Sequence, residues 1–208
     1  MLEKNHSGEL NYEGRLYLDK ILKASTGMSG LINNLLEFSK VSYLPPASQV
    51  DLNFVVTQVL SELDLRIDEA NATIHTDHLP EIQGSFTSLK QVFTNLISNS
   101  LKFSRNGVAP QIEITSSMLA ASRKSDLGLD DGYEYAEIHV RDNGIGFENE
   151  YALHIFNKFS RLNGRSEYPG SGIGLAICKK IIERHHGSIW AEGVPGEGAW
   201  FHIVLPLS

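Results

Sequence analysis

The chain has a single cysteine, Cys178, among its 208 residues. One thiol excludes an internal disulfide and a cysteine-based zinc site. Cys178 falls on the apolar side of a predicted helix, so a buried, inert thiol is expected. There is no run of basic residues, and the net charge is −7. That weighs against nucleic acid or an anionic membrane as the main partner, but not against one anionic ligand met by a few local cations. No stretch is apolar enough over a sufficient length to span a bilayer, and no signal peptide is visible. No direct membrane insertion of this segment is therefore expected; a cytoplasmic protein, or the cytoplasmic piece of a larger one, is. Internal repeats and low-complexity tracts are lacking too. What is there, 41% hydrophobic and 21% charged residues, suits one domain with a real core plus an accessory element.

The first 14 residues are polar and read as a helix end and a loop. From Arg15 to Val41 the spacing predicts a long helix, with Ile21, Ala24, Met28, Leu31, Leu35 and Phe38 in a heptad-like seam that Leu18, Leu22, Ile32 and Leu36 widen. So apolar a stripe needs a partner. Subunit pairing is one reading, and packing onto its own domain the other. Pro45-Pro46 ends this helix.

After the linker, Val50–Leu52 reads as a short strand and Asn53–Asn71 as a helix. Thr73–His78 reads as a strand, and Glu81–Gly84 as a short strand or turn. Ser85 or Thr87 can cap the next helix, which runs to about Ser104. Gln111–Ser117 and Tyr133–Val140 look like antiparallel strands, separated by a tolerated surface insertion. Glu148–Phe156 reads as a short helix and the segment 157–172 as a lid-like loop. Gly172–His186 is a helix that Gly187 can end at C′, and Ser188–Glu192 and Ala199–Leu205 form a closing hairpin. Strands and helices segregate rather than alternate, which predicts an α/β sandwich, one mixed sheet with helices on one face.

Three short stretches carry the chemistry. In Asp142-Asn143-Gly144-Ile145-Gly146 a strand runs into an acid and two glycines, where the backbone can turn sharply and a ligand can sit against it. A carboxylate there needs a donor. One candidate is the exocyclic amine of adenine, where guanine offers a carbonyl. Alone, the pentapeptide equally describes a strand ending in an Asp-capped turn.

Asn95, Asn99 and Lys102 share one side of a helix otherwise full of core residues. A solvated stripe is one explanation. A magnesium–phosphate site is the other, since Mg²⁺ takes one or two protein oxygens and fills the rest with phosphate and water, and Lys102 would answer the remaining charge. The run Gly170-Ser171-Gly172-Ile173-Gly174-Leu175 opens a helix, where backbone N–H groups and the dipole face an anion. It is neither a Walker A loop nor a clean dinucleotide fingerprint. Lys158, Arg161 and Arg165 of the lid can swing onto a γ-phosphate, although Arg165 reads better as surface charge.

Together these stretches resemble the ATP-binding domain of sensor histidine kinases, within the superfamily that includes gyrase and MutL ATPases. QVFTNLISNSLKFS resembles the N box, RDNGIGF the first Gly box, IFNKFSRL the F box and GSGIGLAICKKIIERHHG the second Gly box. The likeness spans Val50–Pro206, and FSRL…SEYPGSGIGLAI is similar to the phytochrome-like and PAS-linked branches. It implies an α+β fold of Bergerat type, a mixed and mostly antiparallel sheet with helices on one face, preceded by one long dimerisation helix. Residues 1–44 would be the end of the dimerisation hairpin, 45–49 a linker and 50–208 the ATP-binding domain.

Carried onto this sequence, the resemblance implies Asn99 as the Mg²⁺ ligand and Asp142 on the adenine amine. Asn95 and Lys102 attend the phosphates, Phe103 lies against the base or ribose, and Arg161 reaches the γ-phosphate. Asn95, Lys102 and Arg161 are the catalytic set. Gly144 and Gly146 shape the adenine pocket together with Ile145. Phe156 and Phe159 anchor the lid. Gly170, Gly172, Ile173, Gly174 and the N–H groups from Leu175 cradle the triphosphate. Where gyrase-type relatives have a Glu to activate water, this chain has Asn95. An amide is no general base, so transfer to an acceptor is favoured over hydrolysis.

The implied ligands are ATP and Mg²⁺. The implied partners are a response-regulator receiver domain and the protein's own dimerisation helix, as a homodimer. No His has the context of the family's phosphoacceptor. His6 is followed by Ser-Gly, and His185 and His186 close a helix, where a cation suits the dipole. A fragment is therefore expected, the second dimerisation helix plus the catalytic domain. The rival reading is a catalytically silent nucleotide-binding, dimerising module.

Overall fold

The computed structural model describes residues 11–22, 24–25, 48–162 and 171–207. The chain separates into two compact units, Met1–Lys40 and Val41–Ser208. In the first, residues 12–22 are helical, and the Asn11 carboxamide oxygen caps them by accepting from Gly14 N–H at 2.8 Å. The helix thus starts before Arg15. Its apolar residues are open to solvent: Tyr17 is 61% and Ile21 64% exposed. The seam residues from Met28 to Phe38 lie outside the described residues.

The second unit begins with β1 (Ser48–Asp51) and α1 (Leu52–Glu69). Asp51 starts α1 by accepting from Asn53 N–H at 2.8 Å. That hydrogen-bond set, led by the Asn53 side chain, holds the Asp51 carboxyl below its ordinary range. β2 (Thr73–Thr76) and β3 (Glu81–Gly84) follow, then α2 (Phe86–Lys102), which Ser85 caps. β4 (Gln111–Met118), α3 (Ala121–Asp126) and β5 (Tyr135–Asp142) lead to a single 3-10 turn at Asn149–Tyr151. α4 (Gly174–Arg184) and the hairpin β6 (Ser188–Val194) and β7 (Gly198–Pro206) complete the chain.

The strands form two sheets rather than the expected one. β1 pairs with β3, and the main sheet has the order β2-β4-β5-β7-β6, antiparallel except for the parallel β2–β4 pair. Period-2 alternation decides its faces. Ile112, Ile114, Ile138, Val140, Phe201 and Ile203 are buried on one face, beneath α2 and α4, with α1 packed beside α2. Asp142 pairs with Ile112 in register, so it shares this covered face.

The opposite face carries Glu113, Glu137, His139, Trp190, Trp200 and His202. Here the segment 118–132 is more than a surface insertion. It adds α3 and a satellite core in which Leu127, Leu129 and Trp190 pack against Leu119, Tyr135 and Val204. Burial lowers the pKa of His139 and His202 on this face.

Two further expectations change. Glu148–Phe156 is not a regular helix but the 3-10 turn and irregular turns. At the end of α4, the residue in the left-handed region is His186, φ +57°, not Gly187. Gly187 N–H donates to Ile182 O and His186 N–H to Glu183 O, the Schellman pattern with Gly187 one place further on. Gly187 is needed for space, since a Cβ there would lie 2.0 Å from Val204 O. His185 is no solvated cation on the dipole. Its Nε2 accepts from Ser85 N–H at 3.0 Å and its Nδ1 donates to Ile181 O at 2.8 Å, and burial pushes its pKa down. Among the described residues, no helix is long and apolar enough to cross a membrane.

Candidate functional site

α2 organises the site. Leu89, Val92, Phe93, Leu96, Ile97 and Leu101 anchor one side of it in the core, which turns Asn95, Asn99 and Lys102 to the half-buried side. Near its middle, Asn95 Nδ2 donates to Gly174 O at 3.3 Å, at the start of α4. Near its end, Ser100 Oγ donates to Asp142 Oδ2 at 2.9 Å. Five residues of helix rise separate these contacts, ~7.5 Å, and Asn99 lies between them. α2 thus touches both the start of the second glycine element and the acid that ends β5.

Asp142 ends β5. Its Oδ1 accepts from Gly144 N–H at 2.9 Å and from Ala199 N–H at 3.2 Å. Burial nevertheless raises its pKa, and the hydrogen bonds from Gly144, Ser100 and Ala199 only partly offset that. A buried carboxylate of this kind is improved by one more donor. Ala199 serves through its backbone N–H, which any residue but proline would supply.

Gly144 and Gly198 keep this corner tight. A Cβ on Gly144 would lie 2.5 Å from Phe103 O, and one on Gly198, φ +131°, 1.9 Å from Asp142 O. Ile145 N–H donates to Phe103 O at 2.9 Å, tying the first glycine turn to the end of α2. Gly146 has φ +63° and backs onto Val194 O.

The cations gather at the C-terminal end of α2. Lys102 Nζ stands 4.3 Å from the centre of the Phe103 ring. Burial, and then the positive charge of Arg161, lower the pKa of Lys102. Two cations that feel each other's charge suit a polyanion beside them. Among the described residues no side chain caps the N-terminus of α4 after Ile173, whose own side chain is buried. Asn95 sits beside this helix start, 3.5 Å from where a Cβ on Gly174 would lie. Gly172, φ +70°, fits against Phe159 and Ser160, where a Cβ would meet Ser160 O at 2.7 Å.

Phe156 is buried, but Phe159 is 56% exposed with φ +63°, so only one of the two expected lid anchors is seated. Gly170 lies outside the described residues, as does Arg165.

Four further residues shape this corner, Ser100, Ala199, Asn143 and Arg105. Ser100 is a small polar residue at a core-spaced position of α2, which is a signal the sequence does contain. The backbone of Ala199 carries none. Asn143 accepts from Gln111 N–H and donates to Ala109 O, while Arg105 donates to Asn143 O and Gly196 O. These two brace the glycine turn against neighbouring loops, and only the tertiary structure brings them together.

The family described as histidine kinase-, DNA gyrase B-, and HSP90-like ATPase matches residues 84–208, more than half the chain. Cyanobacterial phytochrome A of Nostoc sp. (strain PCC 7120) is 38% identical over 208 residues, which is 100% of this chain and 25% of that protein. Phytochrome-like protein Cph1 of Synechocystis sp. (strain PCC 6803) is 36% identical, over 100% of this chain and 26% of that protein. The chain thus spans about a quarter of the length of these curated relatives.

Among solved structures, full-length ShkA in complex with AMPPNP gives a TM-score of 0.69 at 23% identity, covering 100% of this chain and 41% of that one. Histidine kinase ThkA in complex with response regulator protein TrrA gives 0.68 at 25% identity, covering 96% and 54%. The α+β architecture is that of histidine kinase catalytic domains. On its motifs, its fold and its relatives, the chain belongs to the histidine kinase-, DNA gyrase B- and HSP90-like ATPase family, on the sensor histidine kinase branch.

Proposed function

We propose that this chain is the ATP-binding catalytic part of a cytoplasmic protein histidine kinase. It passes the γ-phosphoryl of ATP to a His imidazole on a dimerisation helix, and from there to an Asp of a response-regulator receiver domain. The observation that carries the reading is the α2 junction, where Asn95 meets Gly174 and Ser100 meets Asp142 at opposite ends of Asn99. Residues 1–44 are the end of a dimerisation hairpin, 45–49 a linker and 50–208 the catalytic domain. The exposed apolar side chains of the N-terminal helical segment favour pairing in a homodimer.

In this reading Asp142 accepts from the adenine amine, and its buried, partly compensated carboxylate selects against guanine's carbonyl. Phe103 lies against the base or ribose, and Gly144, Ile145 and Gly146 shape that pocket. Asn99 holds Mg²⁺, which when bound neutralises phosphate charge and orients the triphosphate. The donor set fits, because a carboxamide oxygen is a hard ligand that leaves the ion most of its charge. Gly172, Ile173, Gly174 and Leu175 supply N–H groups to the phosphates, and Gly170 would extend that loop.

Lys102 and Arg161 stabilise charge on the transferring group. Asn95 orients without removing a proton, so water is not activated. The likeness to ShkA, solved with AMPPNP, and to ThkA, solved with the response regulator TrrA, supports both the nucleotide and the regulator in this reading.

The test supplies a separate His-bearing dimerisation helix together with ATP labelled at the γ-position. Acid-labile, base-stable label on that helix is expected, and lost with Asn99→Ala. Bound ATP with no label would favour the catalytically silent module, and no ATP binding would defeat both readings.

A further inference from the structure

We propose that Glu137, His139 and His202 form a site for one divalent transition-metal ion of zinc type, on the sheet face turned away from the helices. His139 of β5 and His202 of β7 are cross-strand partners, and Glu137 is two residues along β5 on the same face. His139 Nδ1 lies 3.2 Å from His202 Nδ1, and His202 Nδ1 lies 3.3 Å from Glu137 Oε1. The three donor atoms all lie within 4.8 Å of one another. Zinc bonds of about 2.0–2.1 Å in a tetrahedron place neighbouring donors about 3.3–3.4 Å apart. Two edges of that tetrahedron are therefore already built, by three residues with the right chemistry.

Hydrogen bonding alone serves this group poorly. Two ring nitrogens aimed at each other are satisfied only when one carries a proton and the other a lone pair, and Glu137 competes for that same proton. Glu137 is a carboxylate with 8% of its side chain exposed, and its cation is the half-exposed Arg123, at 3.3 and 3.4 Å. Buried charge so loosely matched is costly. A divalent ion would take all three lone pairs at once and meet the carboxylate directly.

The outer surroundings fit as well. His202 Nε2 is buried and has no hydrogen-bond partner among the described residues. Glu192 Oε1 stands 3.6 Å from it, just outside hydrogen-bond length. A metal-bound imidazole usually gives its other N–H to a carboxylate, and a shift of a few tenths of an ångström would complete that bond. Trp190 stacks on the His202 ring at 4.7 Å with the planes 5° apart, which fixes its orientation. His139 is only half-buried, which leaves a way in. Three protein ligands leave a fourth position for water, and nickel or copper would also bind this set.

The test titrates zinc into the nucleotide-free chain and follows calorimetry, Tm and the imidazole ¹⁵N spectrum. Saturable 1:1 binding is expected, with the Nδ1 resonances of His139 and His202 shifting. Tm should rise by about 5–10 °C at free zinc near a hundred times Kd. Cobalt should give the visible absorption of a tetrahedral site.

His139→Gln should lower affinity at least tenfold, whereas His75→Gln, on an exposed histidine of the sheet's edge strand, should not change it. Equal zinc affinity in wild type and in folded His139→Gln would overturn the proposal. So would unchanged Nδ1 resonances in the wild type at saturating zinc, a readout that needs no variant to fold.

Discussion

Replacing Asp142 with Asn isolates charge from shape. The carboxylate accepts from Ser100 Oγ, Gly144 N–H and Ala199 N–H. In Asp142→Asn the amide oxygen can keep the two backbone bonds while Nδ2 donates to the Ser100 hydroxyl. Burial already raises the Asp142 pKa, so a neutral group removes a desolvation cost, and Tm should hold or rise slightly. Nucleotide binding should suffer instead. A hydrogen bond from the adenine amine to a carboxylate contributes about 1.5–3 kcal/mol, so its loss lowers ATP affinity by about 10–150-fold. The amide N–H can meet guanine's carbonyl, so the preference for ATP over GTP should narrow.

The pH dependence has a definite sign. Binding the amine favours the ionised acid, so affinity is full above the raised pKa of Asp142 and falls as pH drops through it. Asp142→Asn should flatten that fall. Calorimetric titration of ATP and GTP between pH 5 and 8 reads all of this. ATP affinity within twofold of wild type, in a variant with an unchanged melting curve, would refute the assignment of Asp142 to the base.

Three further outcomes are expected. His186→Gly should stabilise the protein by about 0.5–1 kcal/mol, because His186 is left-handed at the end of α4; Gly187→Ala should cost at least about 1–3 kcal/mol, because its Cβ would press on Val204 O. Thermal melts of the two variants should move in opposite directions. Stability should fall as pH drops below 6.5, the ordinary value for histidine, because His185 is held neutral with a lowered pKa and the unfolded chain takes up the proton first; His185→Gln should reduce that slope in melts from pH 7.5 to 5. Burial pushes the Cys178 thiol up to about 12, so alkylation at pH 8 should wait for denaturant, and prompt labelling of folded protein would contradict the packing of α4 on α2.

Much of the fold could be read from local signals. α2 was visible because its apolar residues recur at helical spacing and Ser85 supplies a cap, and β4 and β5 because they alternate. The insertion between them carries no such local signal. Its charged surface hides Leu119, Leu127 and Leu129, whose partners Tyr135 and Val204 are remote in sequence. The end of α4 was placed one residue late because Gly187 carries the usual signal. There the demand for glycine comes from the neighbouring strand rather than from the backbone angle. Glu148–Phe156 has helical composition but too few anchored residues to hold more than a turn.

The same division runs through the site. Asn95, Asn99, Lys102, Asp142 and the glycine turns are set by short-range chemistry. Their residue types and spacings are enough to nominate a nucleotide-binding element, and the sequence alone determined them. What α2 touches was decided only when it packed on the sheet beside α4, since a hydrogen bond such as Asn95 to Gly174 spans 79 positions of chain. The Glu137–His139–His202 group was likewise invisible in the linear order. Its members lie up to 65 positions apart, and pairing in register across β5 and β7 is what brings three lone pairs within reach of a single ion.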